Sequence, residues 1–262
     1  MNDSKIAYET REGIGYITLN RPDSLNSFNK PALDQFESIL KGCKGDDACR
    51  AIIITGAGEK AFSAGADVNT FIEEVAKPLG GREWSRYGQV VFNILDGLGK
   101  PSVAALNGLT IGGGLELALA CTFRIASDKA RFGFGEIALG FLPGWGGTSR
   151  MTRLIGRSRT AELILTGDHI DAQTALSKGI VDKLVSPGEL ITECEALLRR
   201  IIRHSPIAVK IVLEAIHYAQ YLPLEESQIL ESDLGGLACS SEDAKEGLKA
   251  FLERRKPVFK GR

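Results

Sequence analysis

The chain has 262 residues, 44% of them hydrophobic and 25% charged, with a net charge of −1. That length supports one large domain, or a domain with a smaller appendage, and a substantial core. The near-balanced charge gives no field that would draw nucleic acid or an anionic membrane. The five cysteines, Cys43, Cys49, Cys121, Cys194 and Cys239, are scattered without a Cys-x-x-Cys pair, and His169, His204 and His217 stand apart, so a zinc site is not indicated and a reducing compartment is expected.

The polar start, Met1 to Arg11, has no apolar run of signal-peptide length. No later stretch reaches membrane-spanning length without charge, and the expected location is the cytoplasm. Residues 14–19 read as a strand closed by the turn Asn20-Arg21-Pro22-Asp23. Residues 30–41 follow a helical period through Leu33, Phe36, Ile39 and Leu40, with Pro31 at the start. Ala51 to Gly56 is a short buried strand, and residues 60–67 form a loop rich in Ala and Gly. A helix over 83–96 carries Trp84, Tyr87, Val91, Ile94 and Leu95 on one stripe, and a strand follows over 101–106, turned by Asn107-Gly108.

A glycine triplet, Gly112 to Gly114, then opens a helix running to about Thr122, with a strand expected over 123–127. Residues 140–147 are a loop. Helices are expected over 148–154, 159–165 and 171–178, the last stopped by Gly179, and a strand over 180–185. From Glu189 strands disappear, and 189–203, 206–219, 224–238 and 241–254 all read as amphipathic helices. The chain is therefore expected to be α/β, with residues 1–188 as the core that carries the active site and 189–262 as a C-terminal helical region.

Two glutamates stand out. Glu116 interrupts the apolar run from Gly112 to Cys121, and Glu136 sits between Phe132-Gly133-Phe134-Gly135 and Ile137-Ala138-Leu139. Carboxylates in such surroundings are rare unless paired or used, so the two suggest acid/base groups facing one pocket. Helix-dipole capping would also favour Glu116 in a first turn, but its neighbours are apolar all round, which implies a buried helix. The triplet leaves amides free at a helix start, where an oxygen gaining negative charge could bind; tight packing alone would also explain it. It matches neither phosphate-loop nor dinucleotide spacing. Asp67 reads as the N-cap of a short helix after the Ala/Gly loop.

Taken together, Lys60-Ala-Phe-Ser-Ala-Gly-Ala-Asp67, Asn107 to Ala118, Phe132 to Ile137, Leu139 to Arg150, Thr166 to Asp182 and Phe251 to Lys260 resemble the enoyl-CoA hydratase, or crotonase, family over essentially the whole chain. The resemblance implies a crotonase-like spiral of ββα units with a C-terminal α-helical oligomerisation region, assembled as a homotrimer or a homohexamer made from two trimers. It implies an acyl-CoA thioester substrate whose carbonyl oxygen rests between the amides of Ala66 and Gly113. Contacts to that substrate are implied for Leu25, Lys60, Ala64, Gly65, Asp67, Val68 and Gly112, with Phe251 and Arg254 of a neighbouring subunit reaching the nucleotide end.

Having both glutamates resembles the hydratases, whereas many isomerases keep only the second. The implied reaction is reversible addition of water to a 2-enoyl-CoA, with Glu116 as base toward water and Glu136 as proton donor to C2. No metal or cofactor is expected, since coenzyme A is part of the substrate. Dehydration of a 3-hydroxyacyl-CoA such as 3-hydroxypropionyl-CoA, Δ3,Δ2-enoyl-CoA isomerisation and RNA binding are the alternatives; charge argues against the last. Gly135 stands where the family often has Pro, and Asn69 where Lys is common. Phe71, Trp84, Phe134, Phe141 and Trp145 are candidates for the acyl pocket or for the core.

Overall fold

The computed structural model describes residues 5–262, so Met1 to Ser4 of the polar start lie outside them. Its strands and helices form a repeating series. In each of three successive turns one strand joins a large sheet, the next joins a small sheet, and one or more helices lead on. β3 (Ala51–Gly56) is followed by β4 (Ala61–Ser63), then α2 (Val68–Val75) and α3 (Gly80–Asp96). β5 (Ser102–Leu106) and β6 (Leu109–Ile111) lead into α4 (Gly113–Ala120). β7 (Phe123–Ser127) and β8 (Arg131–Gly133) lead into a short 3-10 helix, Glu136–Leu139, and then α5 (Gly147–Ile155) and α6 (Arg157–Thr166).

β1 (Ile6–Arg11) and β2 (Ile14–Leu19) precede this series, with α1 (Lys30–Gly45) between β2 and β3. β9 (Ile170–Asp171), α7 (Ala172–Ser177) and β10 (Lys183–Val185) close it. The large sheet has the order β1-β2-β3-β5-β7-β10 and the small one β4-β6-β8-β9. Only the β1–β2 and β8–β9 pairs are antiparallel. This is the expected spiral of ββα units: each turn advances both sheets by one strand.

The central strands are buried on both faces, which is why they read as continuous apolar runs. Ile17, Ile52, Ile54, Ala104 and Leu106 face the helices α1, α3 and α4, where Leu33, Phe36, Phe92 and Leu115 meet them. Ile14, Tyr16, Ile53, Val103 and Ile125 face the other way, onto Leu190, Cys194 and Leu198 of α8 (Leu190–Ile202). Alternate residues of one strand thus serve two cores. The division expected at residue 188 falls just before this helix, which is packed into the sheet. Beyond it run α9 (Pro206–Ala219), α10 (Leu224–Ser240) and α11 (Glu242–Leu252).

Several elements differ from the expectation. β1 is an added edge strand of which only Ile6 is buried, so it carries no apolar alternation to read. The loop expected over 60–67 contains β4, and β6, β8 and β9 are likewise two or three residues long. Such strands are shorter than any periodicity can reveal. The strand expected from 180 begins at Lys183, because Gly179, Ile180 and Val181 are tied back to the preceding helix by turn hydrogen bonds to Leu176 and Ala175. All five cysteines are free thiols. Among the described residues, no helix is long and apolar enough to cross a membrane.

Candidate active site

The site lies beyond the C-terminal ends of the small sheet's strands. Ala66 follows β4, Gly113 follows β6 and Glu136 follows β8. At the first position, the flanking amides are already used. Gly65 N donates to Ser63 Oγ at 3.1 Å and Asp67 N donates to Phe28 O at 2.9 Å. Ala66 N lies between them and donates to nothing within the described chain. Gly65 has φ +86°, and a Cβ there would lie 2.5 Å from Gly113 N, so glycine lets the two segments touch.

Gly112 takes the left-handed φ of +52° and donates its amide to Gly133 O at 3.0 Å. That turn starts α4, whose first free amide is Gly113 N. Among the described residues, the amides of Ala66 and Gly113 are therefore two donors without acceptors, on adjoining segments at one cleft, with the positive end of α4 behind the second.

Every residue of α4 is buried, Glu116 included, at 2% exposure. Its Oε1 accepts from Trp145 N at 2.7 Å and from Gly147 N at 2.6 Å. Gly147 is the first residue of α5, so a side chain of one helix caps the start of another. Burial nonetheless pushes the Glu116 carboxyl up to about 8; the Gly147 and Trp145 amides and Arg150 pull it down, while Glu136 adds to the rise.

Glu136 opens the short 3-10 helix and is half-buried. Its Oε1 packs against Gly112, where a Cβ would lie 2.8 Å away, and its Oε2 is buried without a hydrogen-bond partner. Burial raises its pKa as well, opposed only by its own backbone amide. Gly135 has right-handed dihedrals, and nothing lies within 4 Å of the space a Cβ would take, so its conformation does not demand glycine.

Both glutamates line one cleft of about 620 Å³. So do Ala64, Ala66, Asp67, Val68, Gly112 and Gly113 among the residues singled out in the sequence. Asp67 is also structural. It caps α2 by accepting from Thr70 N at 3.2 Å, and it pairs with Arg21 at 3.0 Å. Burial opposes its ionisation, but the Thr70 amide and Arg21 outweigh it and hold the carboxyl below its ordinary value. Gly65 is not on the cleft wall but packs against Gly113. Leu25 and Lys60 are not on that wall either: Leu25 O accepts from Ala64 N at 2.9 Å, and Lys60 O accepts from Leu109 N at 3.0 Å. Phe251 is 81% exposed near the end of α11, with Arg254 exposed just after it, both outside the cleft.

Of the aromatic candidates, Phe71, Trp84, Phe141 and Trp145 reach the cleft wall, while Phe134 is core. Trp145 does both, packing edge-on against Phe28 and Phe92. The amides of Trp145 and Gly147 were not foreseen as part of the site. Backbone donors leave no trace in residue identity, and the only hint was a glycine-rich loop before a helix.

The chain is similar to known proteins over nearly its whole length. The family model described as enoyl-CoA hydratase/isomerase matches residues 9–262. The short-chain-enoyl-CoA hydratase of Clostridium acetobutylicum is 38% identical over 256 residues, covering 98% of this chain and 97% of that protein. The crotonyl-CoA hydratase of Syntrophomonas wolfei is 38% identical over 254 residues, 97% of each. A crystal structure of enoyl-CoA hydratase from Bacillus anthracis superposes with a TM-score of 0.93 at 36% identity, covering 98% of this chain and 100% of that one.

Proposed function

The chain belongs to the enoyl-CoA hydratase/isomerase family, and on that premise we propose that it is an enoyl-CoA hydratase, a hydro-lyase that reversibly adds water across C2=C3 of a 2-enoyl-CoA of the crotonyl type. The observation that carries the reading is the facing of two carboxylates, Glu116 buried and Glu136 half-buried, and two unused amides onto one cleft. The thioester oxygen accepts from Ala66 N and Gly113 N. As water attacks C3, enolate charge grows on that oxygen, and these donors stabilise it; loss of one such donor costs roughly 3 kcal/mol.

Glu116 takes the proton from water. Its Oε1 is held by two amides, which leaves Oε2 as the atom that receives the proton. A carboxyl pushed up to about 8 exchanges protons readily near neutral pH. Glu136, with an oxygen lacking both cation and hydrogen-bond donor, is the carboxylic acid that protonates C2. The charge of Glu136 adds to the rise of the Glu116 carboxyl. The cycle asks for no metal or redox cofactor, since coenzyme A arrives with the substrate. The chain works in the cytoplasm as a trimer or a dimer of trimers, and Phe251 and Arg254 serve a neighbouring subunit's nucleotide site.

Steady-state hydration of crotonyl-CoA, followed by loss of the enoyl-thioester absorbance, tests the assignment. Glu136→Gln is expected to lower kcat by about 10²- to 10⁴-fold. Full activity in that variant would overturn the role of Glu136. Rapid double-bond migration on a 3-enoyl-CoA without water addition would make the protein an isomerase instead.

A further inference from the structure

The two amides that hold Glu116 belong to a loop, and loops keep their aim only when something holds them. Here the holder is one face of α3. Gln89, Asn93 and Asp96 lie four and three residues apart, the spacing that aligns side chains along a helix. Gln89 Nε2 donates to Gly144 O at 2.9 Å. Asn93 Oδ1 accepts from Arg150 Nη2 at 2.6 Å, and Asp96 Oδ2 accepts from Arg150 Nε at 3.2 Å. With its remaining nitrogen, Arg150 Nη1 donates to Trp145 O at 3.2 Å. A single guanidinium thus joins α3 to the carbonyl of the residue whose amide donates to Glu116. The planar fork of arginine suits this triple duty, and lysine could not reproduce it.

We infer that Arg150, clamped by Asn93 and Asp96, is a positioning residue that fixes the Trp145–Gly147 turn and thereby aims its amides at Glu116. Asp96 is the hinge of the clamp. Its second oxygen, Oδ1, lies 3.3 Å from His217 Nδ1 of α9, a separation that makes an ion pair when the imidazole is protonated but no hydrogen bond. The C-terminal helical region thus meets the clamp at Asp96 through His217. The inference rests on Glu116 acting as the base.

Charge gives the frame a signature beyond packing. The charged groups facing Glu116 are Glu136 and Arg150, and those facing Arg150 are Asp96 and, beyond it, His217. Arg150 favours the ionised form of Glu116, and Asp96 offsets that cation. Removing either should move the titration of Glu116, in opposite directions.

The test compares the parent with Arg150→Met, Arg150→Lys, Asp96→Asn and the milder Asn93→Ala, all in the full chain. Crotonyl-CoA hydration is measured across pH, together with thermal unfolding. Arg150→Met is expected to lower kcat about 10- to 100-fold with KM changed less than about 3-fold. Its acid limb should move to higher pH, and that of Asp96→Asn to lower pH. Arg150→Lys should restore the parental limb but only part of kcat. The carboxyl titration of Glu116 is also followed by infrared difference against Glu116→Gln. It should shift up in Arg150→Met and down in Asp96→Asn, whatever the substrate proves to be. A parent inactive on crotonyl-CoA would sink the hydratase reading alone. An unmoved infrared titration, or a loss confined to KM or to thermal stability in folded Asn93→Ala and Arg150→Lys, would overturn the frame.

Discussion

Glu116 carries a cost that its surroundings only partly offset. Its folded-state value, about 8, stands above the ordinary 4.5, so between those values the folded chain binds the proton more tightly than the unfolded one. Its contribution is therefore favourable at low pH and is lost as pH rises through that window. Glu116→Gln keeps the shape, lets the amide oxygen accept from Trp145 and Gly147, and removes the ionisable group. Thermal unfolding should place this variant at or below the parent at pH 5 and a few degrees above it at pH 9, while hydration falls by at least about 10²-fold. An unchanged difference between pH 5 and 9 would show that Glu116 is not the group responsible. At this scale the sequence was most legible for side chains. A carboxylate inside an apolar helix is visible as an anomaly, and so is one flanked by glycines. What could not be read was Arg150, because an arginine in an amphipathic helix looks like any solvated residue until its three acceptors are assembled in space.

Elements divide into those that make the chemistry and those that shape what enters. Part of the cleft wall is built from α2 and the loop before α5. There Phe71 and Phe141 stack with ring centroids 4.6 Å apart and planes tilted by 32°. As part of that wall, the pair is the candidate limit on acyl length. Phe141→Ala is expected to raise kcat/KM for an eight-carbon enoyl-CoA relative to crotonyl-CoA by roughly 10-fold or more, as several methylenes gain apolar burial. A panel of chain lengths measures it, and an unaltered ratio would assign the length limit elsewhere. Longer elements were readable: α9 spans the expected residues, and β2, β3 and β7 also match their apolar runs. The short strands β4, β6 and β8 were not. Three residues carry too little pattern, and their pairing is decided by neighbours far along the chain.

For the whole molecule, the last three helices leave a good deal of apolar surface uncovered. Leu248 is 69% exposed, and Phe251 and Leu252 are each 81% exposed. Side chains of this kind in one region mark an interaction surface. Multi-angle light scattering should return a mass near three or six times the 28.2 kDa of one chain, and Leu252→Asp should lower it; a monomer at working concentrations would refute the assembly. The spiral itself was legible only by resemblance, since alternation of strands and helices is shared by many α/β folds. One consequence follows from where that spiral puts its strand ends. Ala66, Gly113 and Glu136 each come two or three residues past β4, β6 and β8, which are neighbours in one sheet. Their separations are thus set in steps of about 4.8 Å, the interval between paired strands. The sheet acts as a ruler whose graduations are main-chain hydrogen bonds. Insertions between the turns can lengthen α2, or rebuild the wall around Phe71, without moving a single mark on it.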